Sequence, residues 1–129
     1  MPRVDAWGVA RVLVIDDEDI IGTILAIALP HHAVVAAHDG QEGLTLVEAA
    51  DPDVIVLDLM MPILDGYAVL KVLRDDLHLR TPILVLTAVG NRDDLGTCLA
   101  AGASQVMTKP FDPRTVASAI DELLDATAA

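Results

Sequence analysis

The chain has 129 residues, 53% of them hydrophobic, and its 20 Asp and Glu residues against 8 Lys and Arg residues give a formal net charge of -12. This length suits a single domain and is too short for two ordinary ones. The negative charge repels nucleic-acid phosphates and anionic membranes, and a single cysteine excludes an intrachain disulfide and a cysteine-based zinc site. We therefore expect a cytoplasmic domain that binds neither nucleic acid nor membranes directly.

The N-terminal sequence MPRVDAWGVA has no apolar stretch of signal-peptide length. We expect residues 1–10 to form an extension, residues 11–125 the domain and residues 126–129 a tail. The most apolar helix-length segment, 20–29, stops at Pro30, well short of the roughly 20 residues that span a membrane.

Five short apolar runs, rich in β-branched residues, alternate with segments of helical length and period. Runs that are apolar on both faces and separated by helices are typical of a parallel sheet covered on both sides. The sequence therefore predicts an α/β domain. Its predicted strands are residues 12–15, 34–37, 54–57, 83–86 and, more weakly, 106–108.

Capping residues and proline mark the expected ends of the first and last helices. Asp19 is the expected cap of the first helix, which Pro30 ends. Asp112 followed by Pro113 is the expected start of the last helix. The first helix is predicted to bury one apolar side, formed by Ile20, Ile21, Ile24, Leu25, Ile27 and Ala28.

The fourth helix carries weaker signals. Asn91, with Asp94 three residues later, is its expected cap, and Gly102 its expected left-handed end. Gly96 costs about 1 kcal/mol relative to alanine inside a helix. We therefore expect this helix to be the easiest to shift.

Polar residues stand at the carboxyl ends of four of the five runs, where parallel α/β sheets bind their ligands. Three carboxylates meeting at one edge repel each other and require a cation. A lysine supplies one positive charge, and hard oxygen ligands suit Mg²⁺. The sequence therefore predicts a magnesium site formed by the carboxylates at this edge. The residues that follow the runs are, in chain order, Asp16 and Asp17, then Asp58, Thr87 and Lys109.

A carboxylate beside such a metal can attack a phosphoryl group and form an aspartyl phosphate. Asp58 is the expected nucleophile, because it stands alone after the middle run. Asp17 is expected to bind the metal directly, and Asp16 directly or through water. Lys109 is expected to neutralise one phosphoryl oxygen, and the Thr87 hydroxyl to hydrogen-bond another.

With these residues in place, the sequence resembles the receiver domains of bacterial two-component response regulators, of which the single-domain chemotaxis regulator is one. The resemblance extends from about residue 11 to residue 124, and the joint order and spacing of its motifs make it specific. These motifs are VLVIDDED at 12–19, DGQEGL at 39–44, VIVLDLMMPILDG at 54–66, PILVLTA at 82–88, AGA at 101–103 and TKPF at 108–111.

The resemblance implies a doubly wound, flavodoxin-like sheet with strand order 2-1-3-4-5 and helices on both faces. It implies that Asp58 is the phosphoacceptor, that Asp16 and Asp17 are the acidic pair, and that the Met60 backbone carbonyl is a further magnesium ligand. It also implies that Thr87 is the switch hydroxyl and that the peptide bond between Lys109 and Pro110 is cis.

The same resemblance implies the partners of the chain. A histidine kinase or phosphotransfer protein would donate the phosphoryl group, and a downstream protein or an output domain would read the face of helix 4, strand 5 and helix 5. Such a chain is a stoichiometric phosphoacceptor with slow autodephosphorylation, not a true enzyme.

Three positions depart from the family pattern. Val106 occupies the place of an aromatic residue whose inward movement follows the threonine. Ser104 and Gln105 replace the acidic pair found in receivers that dimerise through helix 4, strand 5 and helix 5. These changes weaken the case for the aromatic relay and for that dimer.

Several nearby residues have simpler interpretations. Asp65 and Gly66 are expected to form a turn and cap before the third helix, without a chemical role. The side chains of Met60 and Met61 are expected to pack in the interior. Cys98 is expected to be a small buried residue rather than a redox sensor.

Three of the four histidines are candidate metal ligands but are not expected to bind metal. His31 and His32 follow Pro30, and His38 precedes a turn, so all three are expected to lie in solvent-exposed connections without other nearby ligands.

Three alternative functions fit the sequence less well. A phosphatase of the haloacid dehalogenase type needs a second aspartate two residues after the nucleophile, where this chain has Met60. A flavin-binding module needs a Ser-, Thr- and Gly-rich first loop, where this chain is acidic. A degenerate receiver that binds partners without phosphorylation would not need all five site residues.

Overall fold

A single parallel sheet forms the centre of the molecule. The computed structural model describes residues 9–88 and 92–128, without the side chains of residues 92–94, 127 and 128. The sheet has five strands in the order β2-β1-β3-β4-β5, so the predicted doubly wound topology is confirmed. The strands are β1 (Arg11–Ile15), β2 (Ala33–Ala37), β3 (Val54–Asp58), β4 (Ile83–Ala88) and β5 (Gln105–Lys109).

The helices connect successive strands, and α3 continues into a π-helical segment, Val72–Asp76, that the sequence did not predict. The last helix extends through Ala128, into residues predicted to be a tail. Among the described residues, no helix combines the length and apolarity needed to cross a membrane. The α-helices are α1 (Asp19–Ala28), α2 (Gly40–Ala50), α3 (Gly66–Lys71), α4 (Arg92–Ala101) and α5 (Pro113–Ala128).

Two hydrophobic cores lie on opposite faces of the sheet, because successive side chains of a strand point to opposite sides. Leu13, Ile55 and Ile83 face α2, α3 and α4, where they pack with residues such as Val69. On the other face, α1 and α5 cover the alternate strand residues. That core includes Val12, Val14, Val54, Val56, Leu84 and Leu86, packed with Leu25 and Ile120. The central strands are therefore covered on both sides, as predicted.

Two expectations about apolar burial are wrong. Helix α1 buries Ile21 and Leu25, but Ile20 and Ile27 are 56% and 74% exposed, because at 3.6 residues per turn they lie on the side of the helix away from those two residues. Strand β2 is an edge strand whose residues are mostly exposed, including Val35 at 38%. Apolar pattern alone does not distinguish a central strand from an edge strand.

The helix ends agree with the sequence at three positions and differ at one. Residue Glu18, not Asp19, is the N-cap of α1. The Asp112 carboxylate accepts a hydrogen bond from the Arg114 N–H at the start of α5, as expected of a cap. Gly102, just after α4, has the predicted left-handed conformation, with φ of 113°. The expected cap at Asn91 lies outside the described residues.

The Asp65 carboxylate accepts a hydrogen bond from the Ala68 N–H at 2.9 Å. Asp65 is therefore the N-cap of α3, as predicted. Cys98 on α4 is fully buried, as predicted. Its sulfur lies 3.7 Å from the Tyr67 hydroxyl of α3.

The end of α4 is tied to the chain before β4 by Arg74. Its Nε donates to the Gly102 carbonyl at 2.8 Å, and its Nη1 donates to the carbonyls of Leu79 and Thr81 at 2.7 and 2.8 Å. Burial lowers the pKa of Arg74 from its ordinary value. Three carbonyl groups on two loops thus depend on one guanidinium, which fixes the start of β5 relative to β4.

His31, His32 and His38 divide between two environments. His31 and His38 are exposed, as predicted. The expectation is wrong for His32, whose side chain is only 12% exposed. Its Nδ1 accepts a hydrogen bond from the Ala10 N–H, and its Nε2 lies 3.0 Å from Asp121 on α5. Both partner residues are distant from His32 in the sequence, so local pattern could not predict these contacts.

Candidate functional site at the carboxyl edge of the sheet

The predicted acidic residues meet at one edge of the sheet. Asp16 directly follows β1, and Asp58 is the last residue of β3, its neighbour in the sheet. The carboxylates of Asp16, Asp17 and Asp58 each offer an oxygen within 4.8 Å of the others. Parallel strands bring their carboxyl ends to the same edge, which explains why residues far apart in sequence converge here.

The backbone orients two of these carboxylates. Asp16 is 3% exposed and accepts a hydrogen bond from the Glu18 N–H at 2.9 Å. Asp58 is 4% exposed and accepts one from the Met60 N–H at 3.2 Å. Asp17 is exposed and lies at the solvent side of the cluster. The site therefore has a buried floor and an open side.

Lys109 places its ammonium group between the two buried carboxylates. Its Nζ lies 2.9 Å from Asp16 Oδ2 and 3.5 Å from Asp58 Oδ2. Burial alone would lower the pKa of Lys109, but the hydrogen bond and charge of Asp16, with the charges of Asp58 and Glu18, raise it above its ordinary value. The side chain is therefore a permanent cation at neutral pH.

The pKa of Asp58 is raised from 3.8 to about 6. Burial is the largest cause and the charge of Asp16 the second, while the Met60 N–H and Lys109 act in the opposite direction. One ammonium group thus does not fully compensate three carboxylates. The excess negative charge and the hard oxygen donors are what a divalent cation requires, so the cluster is able to hold one.

The raised pKa predicts that stability falls as the pH rises from about 4 to about 6, because Asp58 ionises in the unfolded chain before it ionises in the folded one. Below both pKa values Asp58 contributes nothing, and above both it costs about 3 kcal/mol, because a pKa difference of one corresponds to about 1.4 kcal/mol. The substitution Asp58→Asn is therefore expected to raise the free energy of unfolding by about that amount near pH 7.5, with almost no change near pH 3.5.

Urea denaturation in EDTA at both pH values measures this difference. A gain of equal size at the two pH values would contradict the assignment, because an uncharged source of stability does not follow the ionisation of Asp58.

Thr87 is 4% exposed in β4, beside the strand that carries Asp58. Its proposed hydrogen bond to a phosphoryl oxygen remains a prediction. Val106 is half-buried in β5 and pairs with Val85, so it takes part in the core. The peptide bond between Lys109 and Pro110 is cis, as the resemblance implied.

The two methionines after Asp58 differ. Met61 is 8% exposed and belongs to the core, as expected. The same expectation is wrong for Met60, whose side chain is 72% exposed. The role of the Met60 carbonyl as a metal ligand remains a prediction.

Gly66 has a role at the site that the sequence did not predict. A Cβ atom on Gly66 would lie 2.3 Å from the Asp58 carbonyl oxygen and 2.5 Å from the Leu59 Cα. Its N–H donates to the Leu59 carbonyl at 3.0 Å. The start of α3 therefore presses against the backbone of the nucleophile candidate. The available signal in the sequence was a glycine directly after the N-cap Asp65. Ser or Ala is at least as favourable as glycine at the first position of a helix, so a glycine there indicates a close approach of another segment.

Comparison with known proteins identifies the family. The model of the response regulator receiver domain matches residues 12–121. The chain belongs to this family, and the predicted function class, a receiver domain of two-component signalling, is confirmed. The family consists mainly of signalling regulators, which favours this interpretation over a phosphatase or a flavin-binding module.

Curated relatives are longer than this chain. The chain is 44% identical over 116 residues to the alkaline phosphatase synthesis transcriptional regulatory protein PhoP of Bacillus subtilis, covering 88% of this chain and 48% of that protein. It is 41% identical over 119 residues to the probable transcriptional regulator ycf27 of Cyanophora paradoxa, covering 91% and 49%. The chain thus spans about half the length of these relatives.

Solved structures of similar length share the fold. The Francisella response regulator 1452 receiver domain matches with a TM-score of 0.85 and 32% identity, covering 92% of this chain and 98% of that one. The chemotaxis protein CheY4 of Vibrio cholerae matches with a TM-score of 0.82 and 31% identity, covering 89% and 98%.

Proposed function

We propose that this chain is a phosphorylation-dependent switch in which Asp58 accepts a phosphoryl group from a histidine kinase or histidine phosphotransfer protein. The observation that carries the proposal is the meeting of three carboxylates beside the Lys109 ammonium at the carboxyl edge of a receiver-domain sheet. Phosphoryl transfer depends mainly on positioning and on neutralising the charge of the phosphoryl oxygens. The cluster offers both.

Each protein group has a distinct part in the transfer. A carboxylate oxygen of Asp58 forms a bond to phosphorus while the bond from phosphorus to the donor's histidine nitrogen breaks. The Met60 N–H holds the Asp58 carboxylate in position. Lys109 neutralises one phosphoryl oxygen, and the Thr87 hydroxyl donates a hydrogen bond to another.

The metal is proposed to be Mg²⁺, because carboxylate oxygens and an open side suit a small hard cation that retains water. Asp16, Asp17 and Asp58, with the Met60 carbonyl, would hold it. When bound, the cation neutralises negative charge on the phosphoryl oxygens. The exposed position of Asp17 supports entry of the ion from solvent.

The output is proposed to be a change in the face formed by α4, β5 and α5. Recruitment of Thr87 towards the phosphoryl group would bias the loop after β4 and helix α4 between two packings. Relatives twice as long, named as transcriptional regulators, support an output domain or a separate protein target as the reader. The chain would act stoichiometrically in the cytoplasm, with slow autodephosphorylation.

Intact-mass measurement with phosphoramidate, a small phosphodonor, tests the proposal. With Mg²⁺ we expect a single adduct of about 80 Da, because phosphorylation adds one phosphoryl group. With EDTA in place of Mg²⁺ we expect the rate of adduct formation to fall at least about tenfold, because the charge of the carboxylate cluster is then uncompensated. A rate that is independent of Mg²⁺, or no adduct in either condition, would count against the proposed switch.

A further inference from the structure

The loop between Asp58 and α3 projects an isoleucine into solvent. Ile63 is 96% exposed, the highest value among the large exposed hydrophobic residues of the described chain. It is also one of three non-glycine residues with positive φ in the part of the chain that the structure describes, at 71°. The Leu64 N–H donates to the Pro62 carbonyl at 2.8 Å across it, so Ile63 is the central residue of a γ-turn.

This position is unfavourable for isoleucine in two ways. A β-branched residue with positive φ is an outlier, because its Cβ crowds the backbone. Full exposure of the side chain also gains no burial within the chain. Glycine or asparagine would adopt the same turn with less strain. Nothing in residues 9–88 and 92–128 therefore accounts for an isoleucine here, which indicates a contact outside the chain.

The surroundings of Ile63 indicate which contact. Asp58 lies at the floor of the crevice at 4% exposure, so a donor histidine on another protein must bring its surface against the rim. On one side the rim is the acidic segment 16–19, which repels an anionic phosphoryl donor. On the other side it is the uncharged segment 59–64, where Met60 is also exposed, at 72%.

We propose that Ile63 is an apolar docking residue for the protein that carries the phosphohistidine, and that it determines the affinity for that donor. The inference rests on the proposed function of Asp58. A few residues that become buried near the centre of an interface supply most of its binding energy, and burial of apolar surface is favourable. The γ-turn presents Ile63 beside the crevice, and the substitution of a polar residue leaves the chemistry at Asp58 intact.

The test compares two phosphodonors on the same protein. The first is phosphoramidate, and the second is a panel of purified, autophosphorylated histidine kinase fragments from the same genome, of which the fastest donor to the wild type is used. For Ile63→Asn we expect kcat/KM with the kinase to fall about tenfold through a higher KM. The rate with phosphoramidate is expected to stay within about twofold of the wild type, because a small donor does not need the docking contact.

Two further variants separate apolar contact from loop structure. Ile63→Leu keeps an apolar surface and is expected to retain most of the kinase rate. Ile27→Gln removes an isoleucine of similar exposure from the far end of α1 and is expected to change neither rate. Ile63→Asn is also expected to melt a few degrees higher than the wild type, because strain is relieved.

The outcomes distinguish this inference from the proposed function. Equal losses with both donors, an equal loss for Ile27→Gln, or no loss with the kinase would overturn the docking role of Ile63. The docking role would also be overturned if phosphoramidate phosphorylates the wild type but no kinase of the panel does. Absence of labelling by any donor would instead overturn the proposed phosphorylation of Asp58.

Discussion

The substitution Asp58→Asn is expected to abolish the phosphoryl adduct that forms with phosphoramidate and Mg²⁺. An amide is a poor nucleophile and carries no negative charge, so it can neither attack phosphorus nor contribute fully to a cation site. The expected loss in the rate of adduct formation is at least about a thousandfold, because no other group takes over nucleophilic catalysis at that place. Intact-mass spectra over time measure it directly.

The fold of this variant is not expected to suffer. Asn is similar in shape to Asp, and removal of a buried charge next to Asp16 is expected to stabilise the chain at neutral pH. The matched control is Asp51→Asn. Asp51 has φ of 47° after α2, a left-handed conformation that asparagine tolerates, so its variant should label like the wild type. An adduct on the Asp58→Asn protein at the wild-type rate would place the acceptor elsewhere.

The substitution Gly66→Ala is expected to lower the free energy of unfolding by about 3 kcal/mol or more, a value at the upper end for overpacking. The new methyl group would meet the Asp58 carbonyl oxygen at 2.3 Å and the Leu59 Cα at 2.5 Å. These are backbone atoms at the end of a central strand, so they cannot move aside as a flexible side chain can. Relief requires displacement of α3 or of Asp58 itself.

Urea denaturation of the wild type and the variant measures the loss. Gly96→Ala is the matched control, because a Cβ at Gly96 meets no atom within 4 Å. That change should raise the stability of the protein by about 0.5–1 kcal/mol through the helix propensity of alanine. If Gly66→Ala proves as stable as the wild type, α3 does not depend on this close approach. A folded Gly66→Ala protein should also accept phosphoryl groups more slowly, since its Asp58 would be displaced.

The polar residues at the strand ends could be predicted because a parallel α/β sheet turns sequence position into spatial position. Each apolar run forms a strand of one parallel sheet, so the residue that follows the run lies at the carboxyl edge. Asp16, Asp58 and Lys109 are separated by more than forty residues along the chain, yet the ion pairs of Lys109 join all three. The cis peptide bond at Pro110 was predictable only through the family resemblance.

The contacts between elements were decided by tertiary structure alone. Local pattern placed Ile20 and Ile27 on the buried side of α1, but the direction in which the helix packs on the sheet leaves both exposed. Local pattern also placed His32 in solvent, although its ring nitrogens contact the Ala10 N–H and the Asp121 carboxylate.

What the sequence determined by itself was the α/β architecture, the identity of the acidic cluster and the lysine beside it, because these follow from periodicity and from the order of residues along the chain. What only the tertiary structure decided was the close approach of Gly66 to Asp58, the clamp formed by Arg74 and the exposure of Ile63. Those features depend on distances between separate segments and on backbone angles, and no local pattern of residue types encodes either.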